Sequence, residues 1–329
     1  MPVGILWVGV AAMTYGLLAM GSEPGPEIQS RSGWAERARA VKQVIAHRGS
    51  SSDRPECTLA ALKRAIAVKA TASEVDVRWT KDRHLVILHD STLDRTTNGK
   101  GPLAERTLAE VRKLDAGSWF DPKFRDERVP TLREVLEVGR GKIDVLLDLK
   151  EQGEAYDQQV VDEVKRFGDP RRLVVGVRSV AQAKRFRRLL PRSRQLGLVP
   201  NPKAIEGFVR AGVETIRLWP RWVKADSGLV GRVHALNVGL HINGSDGSLK
   251  EVRAALQHRP TSMSSDDPEQ LVQSLTRIRE DASRLKETRV RNPRHAVGHC
   301  HCEIADAGCG AEPGAGRLAV CRASFHEKG

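Results

Sequence analysis

The chain predicts an α/β fold, a TIM (β/α)8 barrel, and three observations carry that prediction. Short β-type runs alternate with helical runs about eight times across the body of the chain, the count such a barrel needs. At 329 residues there is room for one barrel, which commonly takes about 250 residues, with extensions at both ends. The polar residues best suited to chemistry collect at or near the ends of the apolar strand-like runs, where a barrel would gather them into one mouth. A doubly wound open sheet is the alternative topology, but no Gly-x-Gly-x-x-Gly turn supports its dinucleotide-binding form.

The elements follow in order. Residues 3–20 are almost wholly apolar and Ala19-Met20-Gly21 offers small residues for a signal peptidase, so residues 1–27 read as a signal peptide or N-terminal anchor. Export, to a periplasmic or extracellular site or to a membrane anchor, is the expectation. Residues 28–40 read as a polar linker, and residues 41–288 as the barrel domain. Strand 44–46 precedes a helix over 58–70, where Leu59, Leu62, Ala65 and Ile66 form a stripe. Strands 73–79 and 85–89 are joined by the turn-like Lys81-Asp82-Arg83. Residues 91–130, rich in Gly, Asp and Pro, break the rhythm as a small insertion after the second strand. Helix 131–138 opens with Thr131 and Glu134 at capping-box spacing. Strands then recur at 143–149, 173–177, 195–199, 215–219, 238–242 and 261–264, with helices at 155–167, 180–190, 202–211, 229–236, 248–257 and 268–285.

Residues 289–329 depart from this pattern. They hold Cys300, Cys302, Cys309 and Cys321 with His295, His299, His301 and His326, at gaps that match no standard zinc spacing. Lacking periodicity, the tail is expected to be disordered, with a zinc site or two disulfides as alternatives. Cys57, alone in the body, reads as a small packing residue.

The hydrophobic fraction of 40% excludes global disorder. The net charge of +13 is densest around Lys165, Arg166, Arg171, Arg172, Lys184, Arg185, Arg187, Arg188, Arg192 and Arg194. A solvated helix face is the plain explanation of that patch; it and the N-terminal segment also offer a surface to an anionic membrane. Nucleic acid is not expected, because only Phe167 and Phe186 interleave with the basic residues.

The chemistry concentrates in His47-Arg48-Gly49, Pro55-Glu56, Glu74-Val75-Asp76, His89-Asp90 and Asp148-Leu149-Lys150. Residues two apart on a strand share a face, so Glu74 aligns with Asp76 and Asp148 with Lys150. Three carboxylates converging at a barrel mouth make a hard oxygen site for one divalent cation, Mg²⁺ or Ca²⁺. Phosphodiester hydrolysis needs charge neutralisation, an activated attacking oxygen and a proton for the leaving alkoxide. The cation, Arg48 and Lys150 meet the first need, and His47 and His89 the other two, one as base and one as acid.

These residues also carry a resemblance. The runs Val44-Ile45-Ala46-His47-Arg48-Gly49, Pro55-Glu56-Cys57-Thr58-Leu59 and Glu74-Val75-Asp76-Val77, with the stretch from Val86-Ile87-Leu88-His89-Asp90 to Gly99-Lys100-Gly101, resemble the glycerophosphodiester phosphodiesterases. Val129-Pro130-Thr131-Leu132 and Asp148-Leu149-Lys150 extend the resemblance. It implies a small-molecule glycerophosphodiester substrate cleaved to an alcohol and sn-glycerol 3-phosphate, the free glycerol hydroxyl assisting attack on phosphorus. It implies a cation held by Glu74, Asp76 and Asp148, His47 and His89 as the acid/base pair, Arg48 and Lys150 on the phosphate, and Glu56 near both metal and phosphate. Lysophospholipase D-like hydrolysis and a non-catalytic phosphate-binding barrel are the alternatives. The chain departs from the family pattern at Cys57, where Asn is usual, at Asp148, where Glu is usual, and along Gly239-Leu240-His241-Ile242-Asn243, where a Trp-Thr pair is common. Ser264-Ser265-Asp266-Asp267-Pro268 is close to the Thr-Asp-x-Pro form without matching it. Trp119, Trp219 and Trp222 are candidate walls of the alcohol pocket.

Overall fold

The computed structural model describes residues 26–291. The predicted signal or anchor segment before Pro26 and the Cys/His tail beyond Arg291 lie outside the described residues. The described elements begin with α1 (Pro26–Ala40), β1 (Gln43–Ala46), α2 (Leu59–Ala67), β2 (Ala72–Trp79), β3 (Leu85–Ile87), α3 (Leu108–Val111) and α4 (Leu132–Gly139). They continue with β4 (Asp144–Leu149), α5 (Glu154–Phe167), β5 (Leu173–Val177), α6 (Val180–Leu189), β6 (Arg194–Gly197), α7 (Ile205–Arg210) and β7 (Thr215–Leu218). The last are α8 (Pro220–Ala225), α9 (Leu229–Ala235), β8 (Gly239–Ser245), α10 (Leu249–Leu256), β9 (Ser262–Ser265) and α11 (Pro268–Arg291).

Eight of these strands close into a parallel ring in the order β1-β2-β4-β5-β6-β7-β8-β9, with β9 pairing back onto β1 from Gln43↔Ser262 to Ala46↔Ser265. The ring is the predicted TIM barrel. β3 stands outside it, antiparallel to β2. The connection through Thr80 to His84 is a hairpin, too short for the helical crossover that a parallel neighbour requires.

Strand parity divides the interior from the helical layer. Val75, Val77, Leu147, Leu149, Val175 and Val177 face outward into one large core with Leu62, Leu136, Val160, Phe186 and their neighbours. Ile45, Ala72, Leu146, Val174, Leu196 and Leu198 point inward and fill the barrel axis. This apolar plug forms a dry floor beneath the strand ends. The insertion after β3 keeps its own small core of Val86, Leu88, Leu93, Leu103, Val111, Ala116 and Val129. The capping box expected at Thr131 and Glu134 is present, the Thr131 amide donating to Glu134 Oε2 at 2.8 Å.

The stretch predicted as a linker is helical instead. Residues 28–40 lie in α1, where Ala35 is fully buried and Ala38 packs with Val41, Leu271, Leu275 and Ile278. The guanidinium of Arg279 donates to the carbonyl of Ala38 at 2.9 Å and to that of Val41 at 3.3 Å, satisfying groups that a helix end leaves open. A helix that docks through alanines and a borrowed arginine shows little apolar periodicity, which is why it reads as a linker.

The basic patch is partly neutralised by acids from distant segments. Arg172 and Arg194 converge on Asp144 at 3.0 and 2.6 Å, Arg187 reaches Glu214 at 2.5 Å, and Arg185 pairs with buried Asp157.

The turn after β1 sets the first catalytic candidates in place. Arg48 and Gly49 both take left-handed backbone, with φ of 58° and 83°. A Cβ on Gly49 would sit 2.5 Å from Ala61 Cβ and 2.8 Å from the Ala61 carbonyl carbon in α2. Gly49→Ala is therefore expected to destabilise the fold by about 1–3 kcal/mol, read as a lower urea midpoint at unchanged slope.

Candidate active site

The parity that points leucines into the barrel axis also points polar residues into its mouth, one or two positions further along each strand. On β2 the inward series is Ala72, Glu74, Asp76; on β4 it is Leu146, Asp148, then Lys150 just beyond the strand. Asp76 and Asp148 are register partners across the β2–β4 ladder. Glu74, Asp76 and Asp148 are all buried, and each offers a carboxylate oxygen within 4.8 Å of the others.

Three buried carboxylates this close repel one another, and the structure shows how that repulsion is met. Lys150 Nζ lies 2.9 Å from Asp148 Oδ2 and 2.7 Å from Asp76 Oδ1. Arg178 Nη2 reaches Asp148 Oδ1 at 2.5 Å. Burial works against ionisation of Asp148, but Lys150 and Arg178 outweigh it and hold the carboxyl below its ordinary range. Glu74 has no such pair of cations: burial first, then the Asp76 charge, push its carboxyl up to about 8. Its Oε2 accepts the Arg48 backbone amide at 2.8 Å. Three buried carboxylates converging within 4.8 Å make an all-oxygen donor set that fits a hard divalent cation.

Two histidines stand at this mouth in the same posture. His47, directly after β1, has its Nδ1 2.7 Å from Asp266 Oδ1, just after β9. His89 has its Nδ1 2.7 Å from Asp90 Oδ1. Each acid fixes one ring nitrogen and leaves Nε2 for other partners. Burial would lower the His47 pKa, but the Asp266 hydrogen bond and the nearby Glu74 and Asp266 charges outweigh it and raise it. Ser51 Oγ donates to the same Asp266 oxygen at 3.0 Å and holds that carboxylate in position.

Glu56 joins the two halves of the cluster. It accepts from Arg48 Nη1 at 3.1 Å and from both terminal nitrogens of Arg95 at 2.9 and 2.8 Å. Arg95 also donates to Asp90 through Nε at 2.7 Å, so an unbroken path runs His89–Asp90–Arg95–Glu56–Arg48. Burial opposes ionisation of Glu56, yet the two arginines hold its carboxyl below its usual range. Arg95→Ala should free both Asp90 and Glu56, and we expect kcat to fall about 10–100-fold with the fold retained, checked by steady-state kinetics beside circular dichroism.

The cavity enclosed by these groups is lined by His47, Glu74, Asp148, Arg217, His241 and Asn243 above the apolar plug. His241 lies against Ser262 Oγ at 2.8 Å, and burial, with the Arg217 and His47 charges, lowers its pKa to about 3. It is a neutral wall group. The structure thus brings His47, Arg48, Glu56, Glu74, Asp76, His89, Asp148 and Lys150 to one end of the barrel, and for Glu74, Asp76, Asp148 and Lys150 strand parity predicts it. Sequence reasoning gave no role to Asp266, Arg95, Arg178 or Arg217. Arg178 and Arg217 carried a usable signal, since each continues the inward parity of its strand. None of Trp119, Trp219 and Trp222 lines this cavity; Trp119 is in the insertion, 40% exposed.

The model of the glycerophosphoryl diester phosphodiesterase family matches residues 47–268 of this chain. The chain belongs to that family. Over 136 residues, 40% of this chain and 56% of the relative, it is 44% identical to a glycerophosphodiester phosphodiesterase of Caldanaerobacter subterraneus subsp. tengcongensis. The match spans 62% and 56% of the length of the first two curated bacterial relatives. Among solved structures, an Oleispira antarctica phosphodiesterase in complex with the product sn-glycerol-3-phosphate superposes with a TM-score of 0.61 at 25% identity, covering 73% of this chain and 99% of that one. A glycerophosphodiester phosphodiesterase from Agrobacterium tumefaciens superposes with a TM-score of 0.58 at 27% identity, covering 70% and 98%.

Within this member of the family, two departures from the family pattern have local explanations. Cys57 sits at φ 60°, a left-handed position that suits Asn, and its thiol donates to Asp76 Oδ2 at 3.4 Å. The shorter acid at Asp148 is held from two sides by Lys150 and Arg178.

Proposed function

We propose that the protein hydrolyses glycerophosphodiesters to an alcohol and sn-glycerol 3-phosphate with one divalent cation, Mg²⁺ or Ca²⁺, as cofactor. The observation that carries this reading is the clustering of Glu74, Asp76 and Asp148 beside two carboxylate-anchored histidines in a member of this family. Those three acids would hold the cation. When bound, it supplies positive charge to the phosphoryl oxygens as attack proceeds.

The remaining work falls to the chain's own groups. Arg48 and Lys150, both partly buried at the mouth, orient and neutralise the phosphate. His89, held at Nδ1 by Asp90, takes at Nε2 a proton from the water whose oxygen bonds to phosphorus. His47, which Asp266 favours in its protonated form, gives a proton from Nε2 to the departing alkoxide as its bond to phosphorus breaks. Arg95 and Glu56 keep the two sides of the site in register.

The test is release of sn-glycerol 3-phosphate from glycerophosphocholine by the folded protein with Mg²⁺, with Ca²⁺ and with a chelator, beside a lysophospholipid arm. Cation-dependent release is the expected result. No release from either substrate with either cation would leave a phosphate-binding barrel without this activity.

A further inference from the structure

We propose that the β7 side of the mouth, through Arg217 and Arg221, selects glycerophosphodiesters whose alcohol carries a second phosphate. This rests on the hydrolase reading above and narrows its substrate. Most cations of the site are already committed to acids: Arg48 to Glu56, Arg95 to Glu56 and Asp90, and Lys150 and Arg178 to Asp148. Arg217 is different. It points inward from β7 and lines the same cavity as His47, Glu74 and Asp148. No hydrogen bond or ion pair joins its guanidinium to a described residue; it lies 4.5 Å over the Trp219 ring. Arg221, exposed at the start of α8, is likewise without an acid and lies 5.3 Å over Trp219 and 5.9 Å over Trp222.

Asp148, Glu74 and Asp76 act on Arg217 as charges from across the cavity, but the loops beside it add no acid. Residues 198–204 and 219–225, which follow β6 and β7, contain Lys203, Arg221 and Lys224 and no Asp or Glu. A partly buried, unpaired guanidinium is costly, and the cost is recovered when a ligand brings the anion. The scissile phosphate has Arg48, Lys150 and the metal acids on the β1–β4 side, so the anion facing Arg217 and Arg221 belongs to the alcohol. A choline-like alcohol meets like charge here, and Trp219, the aromatic face it would need, already carries two guanidiniums. Phosphate, with several oxygens for planar N–H forks, is the group this wall accepts.

The experiment compares kcat/KM for sn-glycerol 3-phosphate release by the full chain with Mg²⁺, from glycerophosphoinositol 4-phosphate and from glycerophosphoinositol, which differ only in the second phosphate. A preference of about tenfold or more for the phosphorylated alcohol is expected, shrinking as ionic strength rises. Arg221→Gln, at an exposed position, should reduce that ratio, and Arg217→Gln combined with it should bring the ratio to about one. A ratio near one in the wild type, or one that survives both substitutions, overturns the proposal while the hydrolase reading stands. Absence of release from these substrates and from glycerophosphocholine overturns both together.

Discussion

His47→Ala is expected to lower kcat for glycerophosphodiester hydrolysis about 10³-fold while leaving the fold and cation binding in place. The side chain stands at the end of β1 at the cavity wall, so its removal opens space without unseating the barrel core. The sharper variant is Asp266→Asn, which keeps an acceptor near Nδ1 and removes the charge. Asp266 raises the His47 pKa, so losing it moves that pKa down. If His47 is the acid for the leaving alkoxide, activity is lost as His47 deprotonates, and the alkaline limb of the kcat–pH profile must move to lower pH. A limb that stays in place in Asp266→Asn would remove His47 from the acid role, whatever the alanine variant shows.

Much of this site is legible in the sequence because two local rules suffice for it. Period-two geometry aligns Glu74 with Asp76 and Asp148 with Lys150, and a closed parallel ring then forces those strand ends together. What is not legible depends on closure across long sequence separations. Asp266 reaches His47 only because β9 pairs back onto β1, a contact across 219 residues. Arg95 lies in a loop, where no periodicity reports direction, and its bridge from Asp90 to Glu56 exists only in three dimensions. The same holds for α1, whose docking depends on Arg279 from the other end of the domain. Residues 85–89 contain a strand, as read, but hairpin geometry, not hydropathy, places it outside the ring.

The other large effect concerns the cation itself, and it has a readout independent of turnover. Burial and the Asp76 charge push the Glu74 pKa up to about 8, so in the metal-free protein the carboxyl is protonated at neutral pH. Because a carboxylate ligand must be deprotonated, binding Mg²⁺ or Ca²⁺ at pH 7 should release close to one proton. Calorimetry in buffers of different ionisation enthalpy measures that proton directly. The sign follows: affinity rises with pH below about 8 and levels off above it. Asp76→Asn should cut hydrolysis about 10³-fold or more through loss of a ligand. It should also relieve the repulsion on Glu74, so the residual binding releases less than the wild-type proton. The same variant should lose the thermal stabilisation that a cation at about 100 times its dissociation constant gives, about 2.7 kcal/mol. Lys150 retains Asp148 as a partner in that variant, so its fold should survive the loss of Asp76. Binding of either cation by the wild type without proton release would mean that Glu74 is already ionised at pH 7 or is not a ligand, and a Glu74→Gln variant that binds the cation as tightly as the wild type would take Glu74 out of the site.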